Sequence, residues 1–163
     1  MNVEDLKQLA HAAIDDKADE TINVSKHILA NPEPGYREYK TAELVGGEFR
    51  KLGMNFRDGI AVTGLKAILD TGKPGPTIGV IGELDSHIVK GHLHADPETD
   101  AAHACGHHTQ IGMMLSVAMG LKASGLLEEL SGRIALMAVP AEEYIEIEYR
   151  NQLRSEGALE FLT

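Results

Sequence analysis

The chain has 163 residues, enough for one ordinary domain with a real core. Its hydrophobic share of 43% and charged share of 25% are those of a soluble globular protein. The net charge of −10 argues against a nucleic-acid partner, because phosphate binding needs clustered Lys and Arg. No run approaches the ~18 apolar residues of a membrane span, and the acidic N-terminus lacks the layout of a signal peptide. With Cys105 as the only cysteine there is no intrachain disulfide, which fits a reducing, cytoplasmic setting or a reactive or metal-binding thiol.

From Val3 to about Leu29 apolar residues recur at helical intervals, first as Leu6, Leu9 and Ala13, then as Ile22, Ser25 and Leu29 on a shifted stripe. Asn2 is positioned as the N-cap, and Asn31-Pro32 ends the helix. NPEPGYRE reads as a turn-rich loop. A second helix fits Tyr39 to Leu52, with Ala42, Val45, Phe49 and Leu52 on one face. Gly46 and Gly47 weaken it by about 1 kcal/mol each relative to Ala, which points to close packing there.

The period then changes. Gly59 to Leu69 alternates, Thr71 to Pro76 is a turn, and Thr77 to Leu84 is an apolar strand, so a hairpin should feed a buried strand. Ser86 to Ala104 has no periodicity and reads as loop; its histidines His87, His92 and His94 read as solvated. A third helix starts near His108, with Ile111, Leu115, Ala118 and Leu121 in register. Arg133 to Val139 is a second buried strand, ended by Pro140, and the polar tail from Tyr144 to Thr163 is expected to be part helical. Alternating strands and helices indicate an α/β sandwich, whose functional groups belong beyond the carboxyl ends of its strands. Asp85 and Glu142-Glu143 occupy such ends, and HACGHH (His103 to His108) lies just ahead of the third helix.

Cys105-Gly106-His107 places a thiol and an imidazole two residues apart, and in extended backbone both side chains point the same way. A helix start beside them should lower the thiol pKa. The bland alternative is a buried, inert cysteine next to a hydrogen-bonded histidine. Glu142 and Glu143, at the end of an apolar strand, need a partner charge if buried. Being adjacent they point apart, so one can bind a metal while the other faces a water, or both can simply be solvated.

HACGHHTQIGMML, VPAEE and GELD, in this order and spacing, resemble the aminoacylase-type co-catalytic zinc metallopeptidases of peptidase family M20. Within it they resemble the amidohydrolase branch that includes auxin-conjugate and aminobenzoyl-glutamate hydrolases. NPEPGYREYKTAE is similar to the family's segment after its first helix. The resemblance implies a three-layer α/β sandwich with a mixed central sheet. It implies metal ligation by Cys105, His107 and Glu143, and a general-base role for Glu142, which takes the proton of the attacking water. It puts Asp85 behind the metals, orienting a ligand histidine, with His103 and His108 around them. His108 departs from the Asp or Asn common there. The implied cofactor is Zn²⁺, one or two ions, with Mn²⁺ or Co²⁺ as substitutes; the soft thiolate disfavours Mg²⁺ and Ca²⁺.

The resemblance also implies that these residues are the N-terminal portion of a longer catalytic domain, since the family's further metal-binding histidines and its lid or dimerisation domain do not follow Glu143. The expectation is a small-molecule amide substrate for the full-length form, weak metal binding and little turnover by this chain, and self-association through an open sheet edge. Two other readings stay open. One is a Cys105/His107 nucleophilic hydrolase; the other is a non-enzymatic folded remnant that binds a metal or a partner.

Overall fold

The computed structural model describes residues 1–159. Helix α1 (Val3–Asp16) begins with a capping box in which Asn2 and Asp5 satisfy each other's backbone N–H. The long helix expected to Leu29 is instead two helices, because Lys17 leaves helical geometry and α2 (Ala18–Ala30) starts anew. The shifted stripe in the sequence was the trace of that break. The buried face of α2 is Thr21, Val24 and Ile28, one position off the expected stripe, and Ile22 is exposed.

Glu33, in the turn-rich loop, accepts the Lys40 and Thr41 backbone N–H groups and so caps α3 (Tyr39–Lys51). Val45 and Phe49 of α3 are fully buried. The two glycines differ: a Cβ on Gly46 would lie 3.2 Å from the Phe56 ring and 3.3 Å from Leu65, whereas one on Gly47 would meet nothing. Only Gly46 brings the helix down onto the sheet.

The sheet runs β1 (Phe56–Ile60), β2 (Gly64–Asp70), β6 (Arg133–Val139), β3 (Thr77–Glu83) in spatial order. β2 is antiparallel to β1 and to β6, while β3 is parallel to β6, so the sheet is mixed. Leu65, Ala67 and Leu69 of β2 stand opposite Ala138, Leu136 and Ile134 of β6. This face joins Val24, Ile28, Val45, Phe49, Ile111, Leu115 and Met119 in one core under α2, α3 and α4 (His107–Ala123). A core of this size, at about 25 cal/mol per Å² of apolar surface buried, holds the fold together. The opposite face leaves Lys66, Ile68, Asp70 and Ile81 exposed, so the described residues build two layers of the expected sandwich.

Two local expectations are corrected. The strand from Thr77 is not buried throughout: β3 is the edge of the sheet among the described residues, and Ile78 and Ile81 are more than half exposed. An apolar run reads the same in a central strand and at an edge. The segment from Ser86 to Ala104 is not plain loop either. β4 (His87–Ile88) pairs antiparallel with β5 (Ala101–Ala102), and Asp96 ties the intervening turn by accepting from Glu98 and Thr99.

The tail contains α5 (Ile147–Ser155), which contributes Leu153 to a small second cluster with Tyr36, Ala141 and Leu159. The last four residues lie outside the described ones. No described helix is long and apolar enough to cross a membrane.

Candidate metal centre

Parallel pairing of β3 and β6 sets Glu83 beside Val139, so the carboxyl ends of both strands open side by side. Beyond β3 the chain stays extended through Leu84 to β4. Glu83, Asp85 and His87 are two residues apart in turn, and all three join the candidate site. Beyond β6, Pro140 and Ala141 turn the chain. Ala141 takes a left-handed conformation (φ 50°), and its N–H is accepted by buried Glu38 at 2.9 Å. That corner delivers Glu142 and Glu143.

The expected same-side geometry of Cys105 and His107 does not form. Gly106 is left-handed (φ 88°) and serves as the N-cap of α4, so His107 already lies in the first turn of the helix. Cys105 and His107 therefore enter two different clusters. In one, His87 Nε2 lies 3.1 Å from Cys105 Sγ and 2.5 Å from Glu143 Oε1. In the other, His107 Nε2 lies 3.0 Å from Glu83 Oε2 and 3.9 Å from Glu142 Oε2. Glu143 Oε1 connects them, being also 3.4 Å from His107 Nε2. In each trio the donor atoms all lie within 4.8 Å of one another, a span that suits a metal ion.

Asp85 is buried and lies behind His107. Its backbone carbonyl is 2.9 Å from His107 Nδ1 and its Oδ1 is 3.3 Å from the same nitrogen. An Nδ1–H donated to that carbonyl leaves Nε2 with its lone pair toward the carboxylates, the tautomer a metal ligand needs. Asp85 Oδ2 also accepts the Glu143 N–H at 3.1 Å, which fixes the backbone of that residue.

The electrostatics are those of crowded carboxylates. The charge of Glu83, then burial and Glu143, raise the pKa of Glu142 above the ordinary carboxylate range. Hydrogen bonds from Cys105 and His87 pull Glu143 down. The expected lowering of the thiol pKa at the helix start is reversed: its hydrogen bond with Glu143, then burial and that carboxylate's charge, push the Cys105 thiol up. A cation held by Cys105 and Glu143 would invert this balance and favour the thiolate. Sulfur, imidazole and carboxylate donors beside excess negative charge fit a divalent metal ion.

His103 is buried, and neither ring nitrogen has a hydrogen-bond partner among the described residues. Burial, then the neighbouring His108, lower its pKa to about 4, so it is a neutral ring at physiological pH. His108 lies against it, ring centroids 5.5 Å apart, and burial lowers its pKa too. His92, partly buried, and His94, exposed, form a ring pair that belongs to neither cluster.

Sequence reasoning passed over two residues of the clusters, Glu83 and His87. The signal was present as the alternation Glu83, Asp85, His87 running out of a strand. Glu83 lay in the strand read from Thr77 to Leu84 without a role, and reading Ser86 to Ala104 as loop with solvated histidines hid His87.

An α/β sheet whose strand ends gather thiol, imidazole and carboxylate donors defines a metallohydrolase-like architecture. No family model matches the sequence. Among characterised proteins it is 33% identical over 140 residues to IAA-amino acid hydrolase ILR1-like 4 of Arabidopsis thaliana, covering 84% of this chain and 31% of that protein. It is 33% identical over 126 residues to thermostable carboxypeptidase 2 of Saccharolobus solfataricus, covering 75% of this chain and 32% of that one. Among solved structures, the YXEP protein of Bacillus subtilis, a dinuclear metal-binding peptidase of the M20 family, superposes with a TM-score of 0.68. It is 22% identical, covering 83% of this chain and 40% of that one. The chain thus spans about a third of the length of the characterised relatives it matches. Over the portion of their length that it spans, the chain is similar in sequence to an IAA-amino acid hydrolase and a carboxypeptidase and shares the fold of an M20-family peptidase.

Proposed function

We propose that the chain carries metal-binding and proton-transfer groups for hydrolysis of an amide bond in a small N-acyl or aminobenzoyl amino acid or a dipeptide. The observation that carries this reading is the convergence of Cys105, His107, Glu142 and Glu143 at the adjoining ends of β3 and β6. The names of the relatives, an IAA-amino acid hydrolase and a carboxypeptidase, support an amide next to a carboxylate as the target.

Cys105, Glu143 and His107 are the groups we assign to hold one or two divalent ions, with Asp85 fixing the His107 ring through Nδ1. A bound ion supplies Lewis acidity, polarising the amide carbonyl and making a water acidic enough to deprotonate near neutral pH. Glu142 is half exposed, so it can reach a water on the open side of the site. The charge of Glu83 keeps its proton affinity above that of an ordinary carboxylate. It accepts the proton of the attacking water and passes it to the leaving nitrogen. Buried His103, its pKa lowered to about 4 by burial and the neighbouring His108, adds no charge beside the motif.

Equilibrium dialysis of the chain against Zn²⁺, Mn²⁺ and Co²⁺, followed by assays of amino-acid release from N-acyl amino acids, aminobenzoyl-glutamate and dipeptides, tests the proposal. Weak metal binding that is lost in C105S, with product formation low and stopped by chelator, is the expected result. A chain that binds none of these ions would overturn it. The exposed β3 edge and the Ile68/Ile81 face further support self-association, as assigned from the sequence.

A further inference from the structure

The relatives' resemblance assigns no role to His87, yet the structure brings its ring to the candidate ligands. We propose that His87 is a metal ligand in this chain, so that His87, Cys105 and Glu143 form a three-donor site made wholly from residues 87–143. The inference rests on the metal-binding reading above and extends it to a residue outside the matched motifs.

Three observations carry it. First, both partners face the same atom: Cys105 Sγ and Glu143 Oε1 approach His87 Nε2, at 3.1 and 2.5 Å. In a nucleophilic triad the thiol and the carboxylate would sit on opposite ring nitrogens. One ring nitrogen cannot serve two such partners at full strength, whereas an ion can be shared by all three. Second, the distances are close to those required. Bonds of ~2.0 Å to nitrogen and oxygen and ~2.3 Å to sulfur in a tetrahedron put the donors roughly 3.3–3.5 Å apart. The trio needs to open by about 0.5–1 Å, within reach of small side-chain rotations. Third, the backbone around His87 is fixed. His87 pairs with Ala102 across β4 and β5, and the Ser86 N–H donates to the Glu33 carbonyl at 2.9 Å. The same short ladder sets the distance to Cys105, three residues beyond Ala102. Cys105 is exposed, so a fourth coordination position opens to solvent, as in catalytic zinc sites.

Titration of the 163-residue chain with Co²⁺, read by absorption, tests the assignment independently of turnover. Thiolate-to-cobalt charge transfer in the near ultraviolet reports Cys105, and intense visible ligand-field bands report a tetrahedral site. The parent should show both. H87A should bind Co²⁺ at least about 100-fold more weakly, a loss at or above the ~10–100-fold caused by removing an outer-shell partner. Its visible bands should weaken, and added imidazole should restore them. H92A should match the parent. If H87A fails to fold, as judged by circular dichroism, H87Q replaces it with the same expectation. An H87A or H87Q variant with parental affinity and spectrum overturns the role of His87 and leaves the metal reading standing. A parent chain with no charge-transfer band brings down the metal reading and this inference together.

Discussion

Glu38 offers a sharp test of how the corner before Glu142 is built. Its carboxylate is fully buried, with Oε2 accepting the Thr63 hydroxyl at 2.6 Å and Oε1 accepting the Ala141 N–H at 2.9 Å. E38A leaves both donors buried without a partner, at about 1–3 kcal/mol each, and relieves part of that by removing a desolvated charge. A net loss of about 3 kcal/mol is expected, which lowers Tm by roughly 6–12 °C for a chain of this size. E38Q keeps both contacts, because its carbonyl accepts from Ala141 and its amide donates to Thr63; it should stay within about 1 kcal/mol of the parent.

The two variants also differ in pH dependence. Burial, opposed by the Thr63 and backbone hydrogen bonds, raises the Glu38 pKa above 4.5 in the folded chain. A raised carboxyl pKa means that the folded state holds the proton where the unfolded state has lost it. The favourable contribution is complete below the unfolded value and is lost as pH rises through the folded one. Parent stability should therefore fall relative to E38Q as pH rises from about 4.5, the two having the same trend below it. Urea denaturation at several pH values measures both effects. Equal losses in E38A and E38Q, or coincident pH profiles for parent and E38Q, would refute the argument.

E142Q should retain divalent-ion binding while any metal-dependent amide hydrolysis falls by about 10²–10⁴-fold; dialysis and product assay on the same sample check this, and loss of metal binding would count against the base role. G82V should cost about 1–3 kcal/mol, because a Cβ there already lies 2.9 Å from Ile111 Cδ1 and 3.2 Å from its Cα; an unchanged thermal midpoint would contradict the close approach of α4 to β3. I81K, on the exposed face of the edge strand, should leave stability within about 0.5 kcal/mol and shift the chain toward monomer in sedimentation velocity. A parent that sediments as monomer at high concentration would remove the self-association proposal.

The sequence by itself determined the elements and the chemical vocabulary. Helical and apolar patterns placed α3, α4 and β6 to within a few residues, since burial leaves its period in the chain, while the alternation from Gly59 to Leu69 ran together the end of β1, a turn and β2. HACGHH and Glu142-Glu143 marked the functional ends of the sheet through their resemblance to a known family's motifs, since each taken alone also reads as solvated or inert. Tertiary structure decided the grouping. One left-handed glycine, Gly106, starts α4 a residue early and sends Cys105 and His107 to separate clusters. A two-residue ladder, too short to show a period, swings His87 to the thiol. The parallel register of β3 on β6 adds Glu83 and Asp85 from a distant stretch of chain. Local patterns record which face of an element is buried; which side chains meet depends on backbone turns and strand register, and those are set by the packing of the whole sheet.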